Sequence, residues 1–442
     1  MSVEDSAIAG RLLSSIFLRY HIAIMTYSED LVREELFASL DALGPRKRVL
    51  VLPPDATRGR SRAGLVLRLL REYYGSALVD ILPALGTHEP MSAAEISSMF
   101  PGLPPALFRA HDWRRDLSTL GQVPSGFVET ISEGRLHYDW PAQVNKLVAE
   151  GGHDLIVSVG QVVPHEVAGM ANHAKNVFVG TGGALGIHRS HFLGAVYGME
   201  RIMGRADTPV RALFDYASRE FASSLPLFYV LTVVGEREPG DETGGSDALR
   251  GLFTGEGRGC FEEASALSRS LNVKLLEAPI KKALVWLDPH EFKSTWLGNK
   301  SIYRLRMAMA DFGELVVLGP GISRFGEDRT IDLLIRRHGY HGTEATLSAV
   351  DRDPELAENL SAAAHLIHGS SEGRFTVRYC AGALSREEVE GVGFEWENLD
   401  NAIARYRPEN LASGMNRFEG EELFYVPNPA AGLWATRERF GA

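Results

Sequence analysis

Two cysteines, Cys260 and Cys380, are all that the 442 residues contain. They lie far apart, no CxxC occurs, and no disulfide framework can be built from them; a reducing cytoplasm fits that usage. A positive charge excess is also missing. Forty-six Lys and Arg against 57 Asp and Glu leave a formal charge of -11, which argues against a nucleic-acid partner, since that would want a basic face. A few local cations can still hold an anionic small molecule inside an acidic protein. No apolar run approaches the roughly eighteen residues of a membrane span. The stretch "RLLSSIFLRYHIAIM", residues 11–25, is apolar but broken by arginine, tyrosine and histidine. The start, "MSVEDSAIAG", is acidic and lacks the basic and apolar parts of a secretory signal. HExxH, P-loop and GxGxxG motifs are absent, as are internal repeats and extended low-complexity segments.

What is present is the balance of a soluble globular protein, 45% hydrophobic and 23% charged, in a chain long enough for two domains. Short β-rich runs recur: "RVLVLP" (48–53), "ALVDILPALG" (77–86), "DLIVSVG" (154–160), "LFYVLTVVG" (227–235), "KALVWLD" (282–288), "ELVVLGPG" (314–321) and "FTVRYCAG" (375–382). Between them lie helix-like stretches such as "SRAGLVLRLLREYYG" and "PAQVNKLVAEGG", the latter closed by glycines. The alternation predicts an α/β fold of mostly parallel sheets flanked by helices. The acidic, glycine-rich stretch "GEREPGDETGGSDALRG" (235–251) is a candidate linker or exposed loop. A fresh strand-and-helix series begins at "KALVWLD", which places the domain boundary near 272–279. The expected division is 1–275 and 276–442, with the final residues returning to the first domain.

Active sites of such folds sit beyond the carboxyl ends of strands. Three polar clusters follow strands here: Asp55 and Arg58, then His88, then the segment "GQVVPHEVAGMANHAKNVFVGTGGALGIHRSH" (160–191). If the strands are parallel neighbours, the three converge. The last segment holds four of the chain's fourteen histidines. His188 and His191, three apart on a helix, share a face that can hold a metal, or they are a helix cap and a surface histidine. His165, after a proline, is a loop histidine or a proton-transfer group; His173 has the weakest case and suits a supporting role. Lys175 among small residues is either an exposed lysine or a desolvated one able to bind an anion or form a covalent bond. "GTGGALG" (180–186) is a weak candidate for a phosphate cradle. In "PPDATRGRSR", Asp55 and Thr57 can cap a helix starting near Ser61, with Arg58, Arg60 and Arg62 adding charge for an anion. "TWLGNK" (295–300) offers Lys300.

Taken together, "DATR", "GTHEPM", "PHEVAG" and "TWLGNK" occur in an order and spacing that resemble the nickel-pincer lactate racemase family. Pro164, His165, Ala168 and Gly169 match its central pattern; Lys175 lies ten residues after His165, and His191 sixteen after Lys175. The resemblance extends to "GFEWENLDNAI" in the later half. It implies two α/β domains with the active site in the cleft between them, the first domain binding cofactor and the second closing over substrate. The implied cofactor is nickel in a nickel-pincer nucleotide, a pyridinium-3,5-bisthiocarboxylic-acid-type mononucleotide. By position, His191 is the implied nickel ligand, and Lys175 the residue that binds or tethers the cofactor. Asp55, Thr57 and Arg58 fall near cofactor and substrate, His88 and His165 are the acid/base pair, and Lys300 and Trp296 reach the substrate from the second domain. The implied partners are a 2-hydroxy acid and the enzymes that assemble the cofactor, with no nucleic acid and no membrane.

Three departures bear on the substrate. "MANHA" replaces the glycine- and serine-rich run expected before Lys175 and puts Asn172 and His173 close to the cofactor. Leu297 stands where a glutamine contacting lactate is expected, and the tryptophan that packs on lactate's methyl has no match. The expectation is a racemase or epimerase inverting C2 of a 2-hydroxy acid other than lactate: aliphatic, aromatic, or a sugar acid, the last making it an aldonate C2-epimerase. A zinc hydrolase or lyase using His165, His188 and His191 is the competing class, against which the absent HExxH and carboxylate cluster count. A non-catalytic cofactor binder would not need both His88 and His165.

Overall fold

The computed structural model describes residues 26–237 and 247–441. The apolar stretch 11–25 and the middle of the acidic glycine-rich stretch lie outside the described residues. In chain order the first half carries β1 (Val49–Leu52), β2 (Leu78–Ile81), β3 (Leu117–Val123), β4 (Trp140–Asn145), β5 (Leu155–Gln161), β6 (Pro164–His165), β7 (Gly169–Met170), β8 (Leu227–Glu236) and β9 (Asp247–Gly255). The second carries β10 (Val273–Leu276), β11 (Ile280–Trp286), β12 (Met309–Gly319), β13 (Thr376–Ala381), β14 (Glu395–Trp396), β15 (Gly414–Phe418), β16 (Glu421–Val426) and β17 (Leu433–Thr436).

Two larger sheets result, ordered β2-β1-β5-β8-β9 and β14-β13-β12-β11-β16-β15. Each is parallel except at one edge, where β9 and β15 run antiparallel to β8 and β16. The central strands are continuous apolar runs because helices cover both faces. In β1, Val49 and Val51 face the cluster built with Val32, Leu36 and Leu40 of helix Glu29–Leu43 and Val66, Leu67 and Leu70 of helix Ala63–Tyr74. Leu50 and Leu52 point the other way, into the main core. Strands β10 and β17 pair in parallel, so the chain's end lies beside Val273–Leu276, and Phe440 packs with Met199 and Met203.

Two expectations need correction. "PAQVNKLVAEGG" was expected as one helix; its first half is β4, and the helix spans only Lys146–Glu150. Trp140, Ala142 and Val144 are fully buried at every second position, a strand period, and Asn145 starts the helix by accepting from the Leu147 N–H. The end of the acidic stretch is no linker, since Asp247 begins β9. Among the described residues no helix is long and apolar enough to cross a membrane.

Trp140 anchors the β3–β4 hairpin against the segment of interest. Its ring meets Phe178 and Phe214 at 5.9 and 5.8 Å, and its Nε1–H donates to the Gly186 carbonyl at 2.8 Å. Trp140→Ala is expected to lower stability by about 3–5 kcal/mol, read from the urea midpoint; a loss below about 1 kcal/mol would show that the site's support lies elsewhere.

Candidate active site

Strands β2, β1 and β5 are adjacent and parallel, so the residues following them meet at one edge. Pro54 and Ala84 continue the parallel pairing beyond the ends of β1 and β2. Beyond it, His88 Nδ1 lies 2.6 Å from Asp55 Oδ2. Asp55 is buried, and its other oxygen accepts from the Thr57 N–H and hydroxyl. Burial alone would raise its carboxyl; the hydrogen bond and charge of His88, with help from Thr57 and Arg58, outweigh that and hold it below the ordinary value. The Asp55 carboxylate accepts a hydrogen bond from Nδ1–H, which in the neutral ring leaves His88 Nε2 with a free lone pair. Gly86, at φ 60, shapes this turn and ties it by its N–H to the Gly180 carbonyl at 2.8 Å.

After β5 the chain makes the small β6–β7 ladder and then the helix Ala174–Phe178. His165 is buried, and its Nδ1 accepts the Val167 N–H at 3.1 Å. The neutral ring therefore carries its proton on Nε2, opposite to His88. Burial drives His165 well below its ordinary pKa, and Lys175, Arg58 and His191 add to that against the pull of Glu166. Lys175 is lowered to about 8 by burial and by Arg58, which makes the free amine accessible near neutral pH. His191 sits on helix Ala184–Tyr197, and its Nδ1–H donates to the Ile187 carbonyl at 2.7 Å, leaving Nε2 free. Burial and then Lys175 lower it to about 3, so the ring is neutral with a fixed tautomer.

Elements of the second sheet's half complete the group. Lys300 follows the turn Thr295–Gly298 and is lowered to about 8 by burial and by Arg58 and Arg304. The Arg58 charge thus acts on Lys175, Lys300 and His165 alike. Trp296 stacks on His365 at 4.4 Å. The helix Leu360–His368, which carries His365 and His368, packs against the helix of His191.

Several sequence expectations change. Asp55 caps the turn Ala56–Ser61, whereas helix Ala63–Tyr74 begins after Arg62 with no side-chain cap. Thr57 serves as a donor to Asp55. Arg60 pairs with Asp247 at 3.4 Å and Arg62 donates to the Asp247 carbonyl, which leaves Arg58 as the one of the three arginines whose charge acts on Lys175, Lys300 and His165. The N–H groups of Gly180, Thr181 and Gly182 are taken by the carbonyls of Lys175, Val177 and Val179, so they cradle no phosphate. A Cβ on Gly182 would fall 1.9 Å from the Phe178 oxygen, a packing reason for glycine there. His173 is not turned to the site; its ring packs on Tyr229 and Phe261 at 3.9 and 5.2 Å. His188 is held by the Glu358 backbone. Among the described residues, no group of three or more His, Cys, Asp or Glu is gathered as a ligand set. Glu166, Arg304, His365 and His368 were not singled out. Glu166 was findable as the carboxylate next to His165; the others only folding brings near.

The lactate racemase N-terminal domain family matches residues 36–202. Over those residues the chain is similar to that family. It is 27% identical over 222 residues to a lactate racemase of Thermoanaerobacterium thermosaccharolyticum, a match covering 47% of this chain and 47% of that protein. The chain thus spans about half the length of that curated relative. A solved Thermotoga maritima protein superposes with a TM-score of 0.78 at 25% identity, over 93% of this chain and 99% of that one. The lactate racemase apoprotein from T. thermosaccharolyticum shares the fold, with a TM-score of 0.66 at 17% identity over 89% and 88% of the two chains.

The lowered amine of Lys175 gives a stability prediction. Its folded value is about 8, against about 10.4 unfolded. Between those values the unfolded chain binds more protons, so the penalty of burying the charge is lifted as pH rises. In cofactor-free protein, stability relative to Lys175→Met should climb between pH 8 and 10. A difference that stays flat across that window would place Lys175 in water.

Proposed function

We propose that this chain is a racemase or epimerase that inverts C2 of a 2-hydroxy acid with a nickel-pincer nucleotide. The observation that carries the reading is the pair of imidazoles in opposite tautomers, His88 on Asp55 and His165 under the Val167 N–H, beside Lys175 and His191. The donor set suits that cofactor. His191 would hold nickel through Nε2, since its Nδ1–H is spent on Ile187. Lys175, lowered to about 8, would bind or tether the cofactor as an amine. When bound, the cofactor supplies an acceptor for the C2 hydrogen as hydride.

The protein's own residues do the rest. Arg58 and Lys300 bind the substrate carboxylate and neutralise it. Trp296, beside Lys300 and seated on His365, walls the substrate. His88 Nε2 takes the C2 hydroxyl proton as the C2 hydrogen leaves, and Asp55 stabilises the imidazolium that forms. His165 donates a hydrogen bond from its Nε2–H to the same oxygen as that becomes an oxo group, and keeps its proton. For the opposite enantiomer His165 takes the base role by moving its proton to Nδ1, at the expense of the Val167 contact. The two free cysteines fit a reducing cytoplasm, where the cofactor-assembling enzymes would act as partners.

The test is metal analysis and turnover on protein co-produced with those enzymes. His191→Ala should lose nickel. His88→Ala and His165→Ala should each keep nickel and lower turnover by about a hundredfold or more. Full activity in either variant would remove that histidine from proton transfer, and a protein that binds no nickel would overturn the assignment.

A further inference from the structure

Next to His165 stands a polar group that the reaction does not use. Glu166 has a side chain 24% exposed, and no side chain among the described residues donates a hydrogen bond to it. The nearest cationic candidate, His165 Nδ1, is 3.8 Å away and already accepts the Val167 N–H. Arg304 is buried; its guanidinium reaches the Gly432 carbonyl at 3.4 Å and its Nε has no protein partner. His368 is equally buried, and its Nε2 has none either. The charge of Arg304 acts on Glu166, and Glu166 acts on His368, yet none of the three is bonded to another. The charges of Glu166 and Arg304 are also felt at Lys300, the residue proposed above to bind the substrate carboxylate.

This is a mixed set of an ionised acceptor, a fixed donor and an imidazole nitrogen. Hydroxyl groups match it, because each can donate to Glu166 and accept from Arg304. An alkyl or aryl tail would leave all three unpaired, which is costly for buried polar groups. A second carboxylate would meet Glu166 as a like charge. We propose that Glu166, Arg304 and His368 form a hydroxyl-recognising subsite, so that the substrate is a polyhydroxy acid carrying hydroxyls beyond C2. The proposal rests on the 2-hydroxy acid reading above.

The experiment compares three six-carbon acids, gluconate, 2-hydroxyhexanoate and 2-hydroxyadipate, on nickel-loaded protein, with C2 inversion followed by chiral chromatography. Wild type should favour gluconate in kcat/KM by about a hundredfold or more. Glu166→Gln should raise KM for gluconate with nickel content unchanged, and Glu166→Leu should shift preference toward 2-hydroxyhexanoate. Faster inversion of either other acid by wild type overturns the subsite while the racemase reading stands. So does an unchanged preference in Glu166→Gln, which decides the matter if Glu166→Leu fails to fold. Nickel-loaded wild type inert on all three overturns both.

Discussion

The guanidinium of Arg211 is the contact on which the site's geometry depends. It is 1% exposed, lies over the Phe261 ring at 4.1 Å, and donates to the carbonyls of Ala168, Met170 and Asn172. Those carbonyls belong to the segment joining His165 to Lys175. Asn172 and His173 within it have φ values of 64 and 58, left-handed geometry that costs non-glycine residues on the order of 1 kcal/mol each. Fixed charge-assisted hydrogen bonds hold such a turn where a free loop would relax. Burial lowers Arg211 itself to about 9, so the clamp is made from a desolvated cation against backbone dipoles. Gly160 completes it: a Cβ there would fall 2.1 Å from the Asn172 side chain.

Desolvation sets the chemistry that this scaffold presents. Lys175 and Lys300 are both lowered to about 8, and Arg58 contributes to each. The result is a group of cations, two of them easily neutralised, beside His165 and His191, which burial keeps neutral at physiological pH. A neutral imidazole is what the proposed metal ligand and proton acceptor require, and the Ile187 carbonyl, the Val167 N–H and Asp55 decide which nitrogen is left free on His191, His165 and His88. Glu166 is the counter-charge. Burial would raise it, but His165 and Arg304 hold it well below the ordinary carboxylate range.

Much of the fold was legible. Strands β1, β5 and β8, and the later parts of β11 to β13, are buried on both faces and read as continuous apolar runs. Strand β4 was hidden because its period of two passes directly into a capped helix. The short ladder β6–β7 has only two residues a side, too few for any pattern. The orientation of His173 was equally invisible, since its partners Tyr229 and Phe261 come from distant segments.

By itself the sequence determined the α/β layout and the spacing of Asp55, His88, His165, Lys175 and His191, because strand hydrophobicity and local motifs are properties of neighbouring residues. Tertiary structure alone decided which imidazole nitrogen is free, which arginine faces the site, and that Arg304 and His368 stand near Glu166. The arginine and the neighbours of Glu166 depend on segments more than a hundred residues away. The free nitrogens depend on contacts 33, 2 and 4 residues apart that form only in the folded backbone, and desolvation has no signature in a string of letters.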